Sequence, residues 1–497
     1  MSWLNKLAPK SPILSGLVDG HHSIKRAPTF RLKEHRICAM NCTSAVAKKV
    51  LKEERLPSEE QRNWAKRSIY KVRPYIADLN RKAYQPQVVS FGPYHHGKEH
   101  LLPMEEHKHR ALCRFLKRSG KHLEPFLNSL REWKLGGSEG AAGHFLELMI
   151  TDGCFMLEIL RTATQKGTQV RQEVTREKDG YVVNDPIFSE HGKLHIMPYI
   201  KRDMLMLENQ LPMLVLERLV AVESNGKEYI LVISDGLQMD PFETNHRFHC
   251  YIYTSETSFY TSYASHEFIN RLVLNFFCSA GTLSEDIGKC LHVLDVYRKS
   301  LLRPEKKPKK DNFNEDSRKE IIRSATELCE HGIWFKKSCS SSHTDISFAK
   351  GVLKLPEITV NDITESVYLN LIVFEHFHVG AGNEVTSYIF LMDKIINDEK
   401  DVALLHAQGI IQNAIGSDKA VAEMFNSLCK ELTLRAESSL DAVHVEVSEY
   451  CKKTWYTWMA TLYHTYFKSP WPIISFIAAI LLFALAIIET TYTIIYH

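Results

Sequence analysis

Residues 469–488 read SPWPIISFIAAILLFALAII, twenty consecutive positions without a charge between Lys468 and Glu489. At ~1.5 Å per residue a helix of this length covers the roughly 30 Å hydrocarbon core of a bilayer. Pro470 and Pro472 fall in its first turn, where N–H groups have no intrahelical partner in any case. Aromatic rings flank both ends, with Trp455, Tyr456, Trp458, Tyr463, Tyr466, Phe467 and Trp471 before and Tyr492 and Tyr496 after, as suits two headgroup boundaries. A buried core helix is the competing reading. The missing charge and the paired aromatic belts favour a single C-terminal transmembrane helix.

Lys452, Lys453 and Lys468 precede the span and no Lys or Arg follows it, so the positive-inside rule predicts residues 1–468 in the cytosol. The N-terminus, which opens Met1-Ser2-Trp3-Leu4-Asn5-Lys6, lacks the apolar core of a signal peptide, so insertion as a tail anchor is expected, in the plasma membrane or an endomembrane. A GPI signal fits less well, because it requires an entry signal. The single sequon Asn41-Cys42-Thr43 is a chance-level match. The basic first forty residues (Lys6, Lys10, Lys25, Arg26, Arg31, Lys33, Arg36) suit a mobile tail better than a transit peptide.

The rest of the 497 residues, with 44% hydrophobic and 24% charged content over the whole chain, has the composition of a folded protein with sizeable cores. Lys and Arg (62) nearly balance Asp and Glu (59), so no global basic field points to nucleic acid. Eleven cysteines without a C-x-x-C pair, several in apolar stretches like Cys154 and Cys429, predict packed, reduced thiols.

Periodicity and turn residues divide the chain into a basic, partly helical N-terminal region (1–84), a helical domain with surface insertions (85–298), a charged linker (299–320), a second helical subdomain with short strands (321–439), a membrane-proximal helix (440–468) and the anchor with its tail (469–497). Helices are expected from Pro103 to Leu116, His144 to Thr162, Tyr199 to Val222, Ser324 to Phe335, Glu365 to Phe377, Val385 to Gly409 and Lys419 to Leu434, and a surface excursion over 163–198. Val421, Met424, Phe425, Leu428 and Leu432 recur at helical spacing. Val88 to Tyr94 reads as extended chain, and β-branched alternation predicts strands in 228–234 and 344–360. The fold class is therefore mainly α-helical with a small β-sheet (α+β).

Chemistry-bearing patterns are few. His95, His96, His100, His107 and His109 crowd around Glu105 and Glu106, but His107 and His109 differ by two positions, about 200° apart on a helix, and cannot share a metal. His376 and His378 fail likewise, and His444-Val445-Glu446 lacks the P-C-x-x-C of a zinc deaminase. No nucleophile elbow, P-loop, dinucleotide fingerprint, H-E-x-x-H or kinase set is present. Gly380-Ala381-Gly382 reads as a turn, and Pro304 to Lys310 (PEKKPKK) as a solvated linker, with nuclear import or anionic lipid as alternatives. Asp203, Glu208, Asn209 and Gln210 interrupt an apolar run, as Asp152 does in LELMITDGCFMLEIL. Buried, such groups need partners, since each unsatisfied one costs roughly 1–3 kcal/mol. A structural network is the first reading, and a catalytic acid–base pair facing a cleft the second.

Several ordered stretches resemble a plant family named domain of unknown function 247: VVSFGPYHHGKEHLLPMEEHKHRAL (88–112), LELMITDGCFMLEIL (146–160), IKRDMLMLENQLPMLVLERL (200–219), SATELCEHGIWFK (324–336), 345–376, 388–429 and PWPIISFIAAILLFALA (470–486). His107 and His109 flanking Lys108, and His376 where a Gln often follows Phe374-Glu375, depart from the family pattern and make those histidines incidental. The resemblance implies a plant membrane protein with no established activity or catalytic residues. Some grass members are linked to self-incompatibility in pollen, which implies a recognition role. The expectation is a membrane-anchored recognition, signalling or scaffold protein that is not an enzyme. It would have no cofactor, metal or nucleic-acid ligand, and its partners would be the bilayer and proteins of unstated identity. The alternative is an enzyme using Asp152, Glu208 or the His95–His109 region.

Overall fold

The computed structural model describes residues 67–131, 139–164, 185–225, 230–234, 249–253, 265–278, 287–302, 323–340, 342–429, 440–452 and 470–496. The segments 1–66, PEKKPKK, Leu432 and Lys453 to Ser469, for which the sequence raises expectations, lie outside these residues. The chain is mainly helical with small sheets. In order it forms α1 (Pro74–Ala77), α2 (Arg81–Tyr84), a 3-10 turn (Glu99–Leu101), α3 (Leu102–Ser119), α4 (Glu124–Arg131), α5 (Glu139–Thr164), α6 (Glu190–His195), α7 (Met197–Met204) and α8 (Met213–Glu223). Then come β1 (Ile230–Ser234), β2 (His249–Tyr253), α9 (Ser265–Phe277), α10 (Val293–Ser300), α11 (Ala325–Glu330), β3 (Trp334–Lys337), β4 (Ser347–Ala349), β5 (Val352–Leu355) and β6 (Ile358–Val360). The chain continues through α12 (Thr364–Phe377), α13 (Glu384–Ile395), α14 (Glu399–Ala407), β7 (Ile411–Asn413), α15 (Asp418–Leu428), α16 (Asp441–Cys451) and α17 (Pro470–Tyr496).

The apolar run of α5 makes it the central helix. Met149, Ile150 and every residue from Cys154 to Leu157 are fully buried, with α3, α4, α8 and α9 packed around them. Gly153 lets α8 approach, because a Cβ there would stand 2.6 Å from Leu219 Cδ1. Buried apolar residues from Tyr70 to Val447 form one contiguous core, so the sequences on either side of 299–320 share it. Arg298 meets Glu375 at 2.7 Å, and Asn370 on α12 accepts from Leu207 N at 2.8 Å and donates to Ala83 O at 2.8 Å.

Strands β1 and β2 pair antiparallel, β3 and β5 pair parallel with β4 antiparallel on the other side of β5, and β6 pairs parallel with β7. Several boundaries differ from the periodicity reading. Helix α11 stops at Glu330 because Gly332, at φ 82°, turns the chain into β3. The stretch 385–409 is two helices, since Asp398 caps α14 with a reciprocal capping box to Asp401. Residues 67–84 are extended chain and two single turns. The described part of the expected excursion, from Asp185 on, is surface only in part: Glu190, His191, Leu194 and His195 are exposed, whereas Ile187 and Phe188 are buried, Phe188 standing edge-on to Phe155 at 6.3 Å. Cys113, Cys154, Cys278, Cys290, Cys329, Cys339, Cys429 and Cys451 are free thiols.

Helix α17 stands apart. Its segment Ile474–Ile495 is long and apolar enough to cross a membrane, and 0% of it is buried against the rest of the chain.

Candidate functional site

The polar residues that interrupt the apolar sequence around 203–212 converge on one place, though not on a helix. Helix α7 ends at Met204, and residues 205–212 form a tight non-helical connection to α8, entered through Pro212. The amides supply the tertiary bonds that a helix would otherwise satisfy. Gln210 Nε2 donates to Met204 O at 2.6 Å and Met206 O at 2.7 Å, and Gln210 Oε1 accepts from Leu294 N at 3.1 Å. Asn209 Nδ2 donates to Asp203 O at 2.9 Å and Val89 O at 3.0 Å.

The same side chains hold the extended segment 87–92. Asp203 accepts from the N–H groups of Gln87, Val88 and Val89 at 2.7–3.0 Å, Asn209 Oδ1 from Phe91 N at 2.7 Å, and Asp152 Oδ2 from Gly92 N at 2.8 Å. Side chains thus replace the strand partner that this backbone lacks. Gly92 is required by its φ of 70° and by Gln210 O, 2.9 Å from where a Cβ would stand.

Asp152 is fully buried and meets Lys108 Nζ through Oδ1 at 2.8 Å; Lys108 also reaches Glu105 at 2.6 Å and Ser90 Oγ at 3.0 Å. Burial pushes the Asp152 carboxyl above its ordinary range, against the pull of Lys108. Asp203 is raised for the same reason, against the N–H groups that it caps. Glu208, on the rim at 15% side-chain exposure, accepts from Val72 N at 2.7 Å and lies 3.2 Å from His95 Nε2. Lys98 Nζ, which can only donate, is 2.7 Å from His95 Nδ1, so the His95 proton sits on Nε2, which is close to Glu208 without making a hydrogen bond to it.

The remaining histidines disperse. His100 donates to Pro86 O at 3.1 Å, His107 accepts from Arg110 at 2.7 Å, His109 donates to Glu105 O at 2.7 Å, and His96 lies 3.9 Å from Glu105. His376 is exposed, whereas His378 bonds the Tyr70 hydroxyl at 2.5 Å. No group of three or more metal-capable residues converges among the described residues.

Two further polar clusters had no local sequence signal. On α5, Glu158 is buried beside Arg118 (2.5 Å) and Arg161 (3.7 Å), and Arg161 and Arg118 reach Glu223 at 2.5 and 3.1 Å. Burial opposes ionisation of Glu223, yet the two guanidiniums hold its carboxyl below the ordinary range. At the junction of α10, α12 and α13, Glu375 receives Arg298, Val385 N (3.1 Å) and Thr386 N (2.8 Å), while burial raises its carboxyl.

Two cavities lie elsewhere. One of about 430 Å³ is lined by Lys193, Met197, Lys201, Asn275, Phe276 and Asp362 among others, and one of about 380 Å³ by Asn361, Glu365, Ile415 and Met424. Neither is lined by Asp152, Glu208 or the histidines of 95–109.

With this geometry in view, the comparisons bear on the whole chain rather than on a site. A family model described as a plant protein of unknown function, DUF247, matches residues 69–485. Among curated proteins, UPF0481 protein At3g47200 of Arabidopsis thaliana is 29% identical over 464 residues, covering 86% of each chain. Putative UPF0481 protein At3g02645 of the same plant is 31% identical over 170 residues, 34% of this chain and 32% of the relative. No solved structure matches.

Proposed function

We propose, on the premise that this chain belongs to the DUF247 family of plant proteins of unknown function, that it is a membrane-anchored recognition or scaffold protein rather than a catalyst. The observation that carries this reading is α17: the 22 residues Ile474–Ile495 are mostly apolar, and 0% of this segment is buried. Such a helix requires hydrocarbon around it, and lipid supplies it. The buried carboxylates add support. Asp152, Asp203 and Glu208 are each engaged by the chain's own N–H groups and cations, as a positioning network requires, so a substrate would have to displace those bonds. The alternative of catalysis at Asp152, Glu208 or His95 has less support on that ground.

The finer reading places the body on the cytosolic side of a plasma or endomembrane, holding protein partners there, with a self-incompatibility type of recognition as the role suggested by the family resemblance. Proximity labelling in plant cells tests it. The full chain should enrich a partner set that a form lacking 470–497 does not, and identical sets for both forms would refute the anchored scaffold. Protease treatment of sealed microsomes should digest the body without detergent, and protection would put it on the opposite side.

A further inference from the structure

The small sheet presents an exposed face that carries an indole and two lysines. Parallel pairing of β3 with β5 sets Trp334 beside Val352 and Lys336 beside Lys354. Phe335, Leu353 and Leu355 turn into the core, while Trp334 (48% exposed), Lys336 and Lys354 face solvent. Like charges in register on neighbouring strands repel. The neighbouring Lys337 is neutralised by Glu357 at 2.5 Å, but Lys336 and Lys354 have no such counter-ion among the described residues. Lys350, exposed at φ 50°, brings a third charge to the β4–β5 turn.

That turn is also where the chain departs for the anchor. Tyr450, in the last turn of α16, stands edge-on to Phe348 at 5.4 Å, and its hydroxyl oxygen is 2.5 Å from where a Cβ of Gly351 would be. Gly351 O in turn accepts from Trp334 N at 2.8 Å. Trp334, Lys350 and the end of α16 therefore share one end of the sheet. From Lys452 to Pro470 even fully extended chain reaches at most about 60 Å, which lets this end reach the bilayer that would hold α17 and bounds how far it can stray.

We propose that Trp334, Lys336, Lys350 and Lys354 form a docking surface for the anionic lipid headgroups of the membrane in which α17 is anchored. The proposal rests on the anchored reading above. An anionic leaflet relieves the Lys336–Lys354 repulsion and favours each lysine by roughly fivefold in partition, and an indole suits the headgroup boundary. Tethering makes the contact intramolecular, so weak individual attractions suffice.

The test uses the full chain reconstituted in phosphatidylcholine vesicles with and without phosphatidylserine, reading lysine acylation by mass spectrometry. Lys336, Lys350 and Lys354 should react several-fold more slowly with phosphatidylserine, Lys419 on α15 should not change, and added salt should remove the protection. The Lys336→Gln/Lys354→Gln variant, changed only at exposed positions, should lose the protection at Lys350. Equal rates in both vesicles, with the chain still resistant to alkaline carbonate, would overturn the docking surface and leave the anchor standing. Protection that is the same in neutral vesicles would show another cover and also overturn it. A chain stripped by carbonate would overturn both readings.

Discussion

Helices α5 and α17 are nearly equal in length, 26 and 27 residues, and both are apolar through their middles, yet they end in opposite surroundings. Helix α5 is enclosed by four other helices, whereas none of the Ile474–Ile495 segment of α17 is buried. The difference lies in two side chains. Within its apolar run α5 carries Asp152 and Glu158, both buried and both met by cations projecting from α3, Lys108 and Arg118. Hydrocarbon cannot supply such partners, whereas a neighbouring helix can. Apolarity alone says that a helix must be covered, and the charges within the run say by what.

The largest effect should come from breaking that rule in α5. Lys108→Met strands Asp152 without its cation and should cost about 3–5 kcal/mol, read as a shift of the denaturant midpoint of the full chain in detergent. Adding Asp152→Asn, which keeps an acceptor for Gly92 N–H, should recover much of the loss; an equally unstable double variant would trace the cost to packing rather than charge. The converse experiment gives α17 a charge. Leu482, 68% exposed, becomes Arg; insertion should weaken by about 3 kcal/mol, seen as a smaller carbonate-resistant fraction, while the midpoint of the body stays put. A body destabilised by the same change would make α17 part of the core.

These two helices also mark what was legible in the sequence. Helices α17 and α5 carry their signal locally, in charge-free length and in apolar periodicity. Lys108 was missed, although Met104, Lys108, Ala111 and Phe115 recur at helical spacing and put a lysine in the middle of a buried stripe. The Asp203–Pro212 connection was not legible, because its bonds reach Gln87, Val89 and Phe91 more than a hundred positions away, and no local pattern encodes an acceptor's distant donor. Arg298 and Glu375 are hidden for the same reason. Strand β7, three residues paired parallel with β6, is too short to show a period. Of the candidate site, the sequence names Asp152, Glu208 and His95, but not that Lys108, Gly92, Val72 and Lys98 already answer them.

Buried histidines extend the contrast to pH, because the body encloses bases where α17 has none. Burial lowers His292 and His343 from 6.5 to about 4 each. Between those values the unfolded chain binds protons that the folded chain excludes, so stability is complete above the unfolded value and falls as pH drops from about 6.5 towards 4. Each histidine should contribute on the order of 2–3 kcal/mol to that fall. His292→Asn keeps a cap for Asp295 N, which His292 Nδ1 now supplies at 3.2 Å, and removes the titration, so the slope of stability against pH should lose about one proton. An unchanged slope would mean that His292 is protonated in the folded chain.

The smallest effect concerns an interruption that α17 does not have. From Glu384 to Ala407 periodicity reads as one long helix, but Asp398 accepts from Lys400 N at 2.9 Å and Asp401 N at 3.3 Å and starts α14 afresh. Asp398→Ala should cost about 1 kcal/mol, as the loss of one N-cap does. The break itself should survive, because Asp401 separately accepts from Asn397 N at 3.0 Å and from Thr326 N at 2.8 Å, fixing the turn from inside α14 and from α11. Amide exchange should therefore quicken only in the first turn of α14. If α13 and α14 instead merged into one protected helix, the single cap would be all that keeps this stretch from the uninterrupted form of α17.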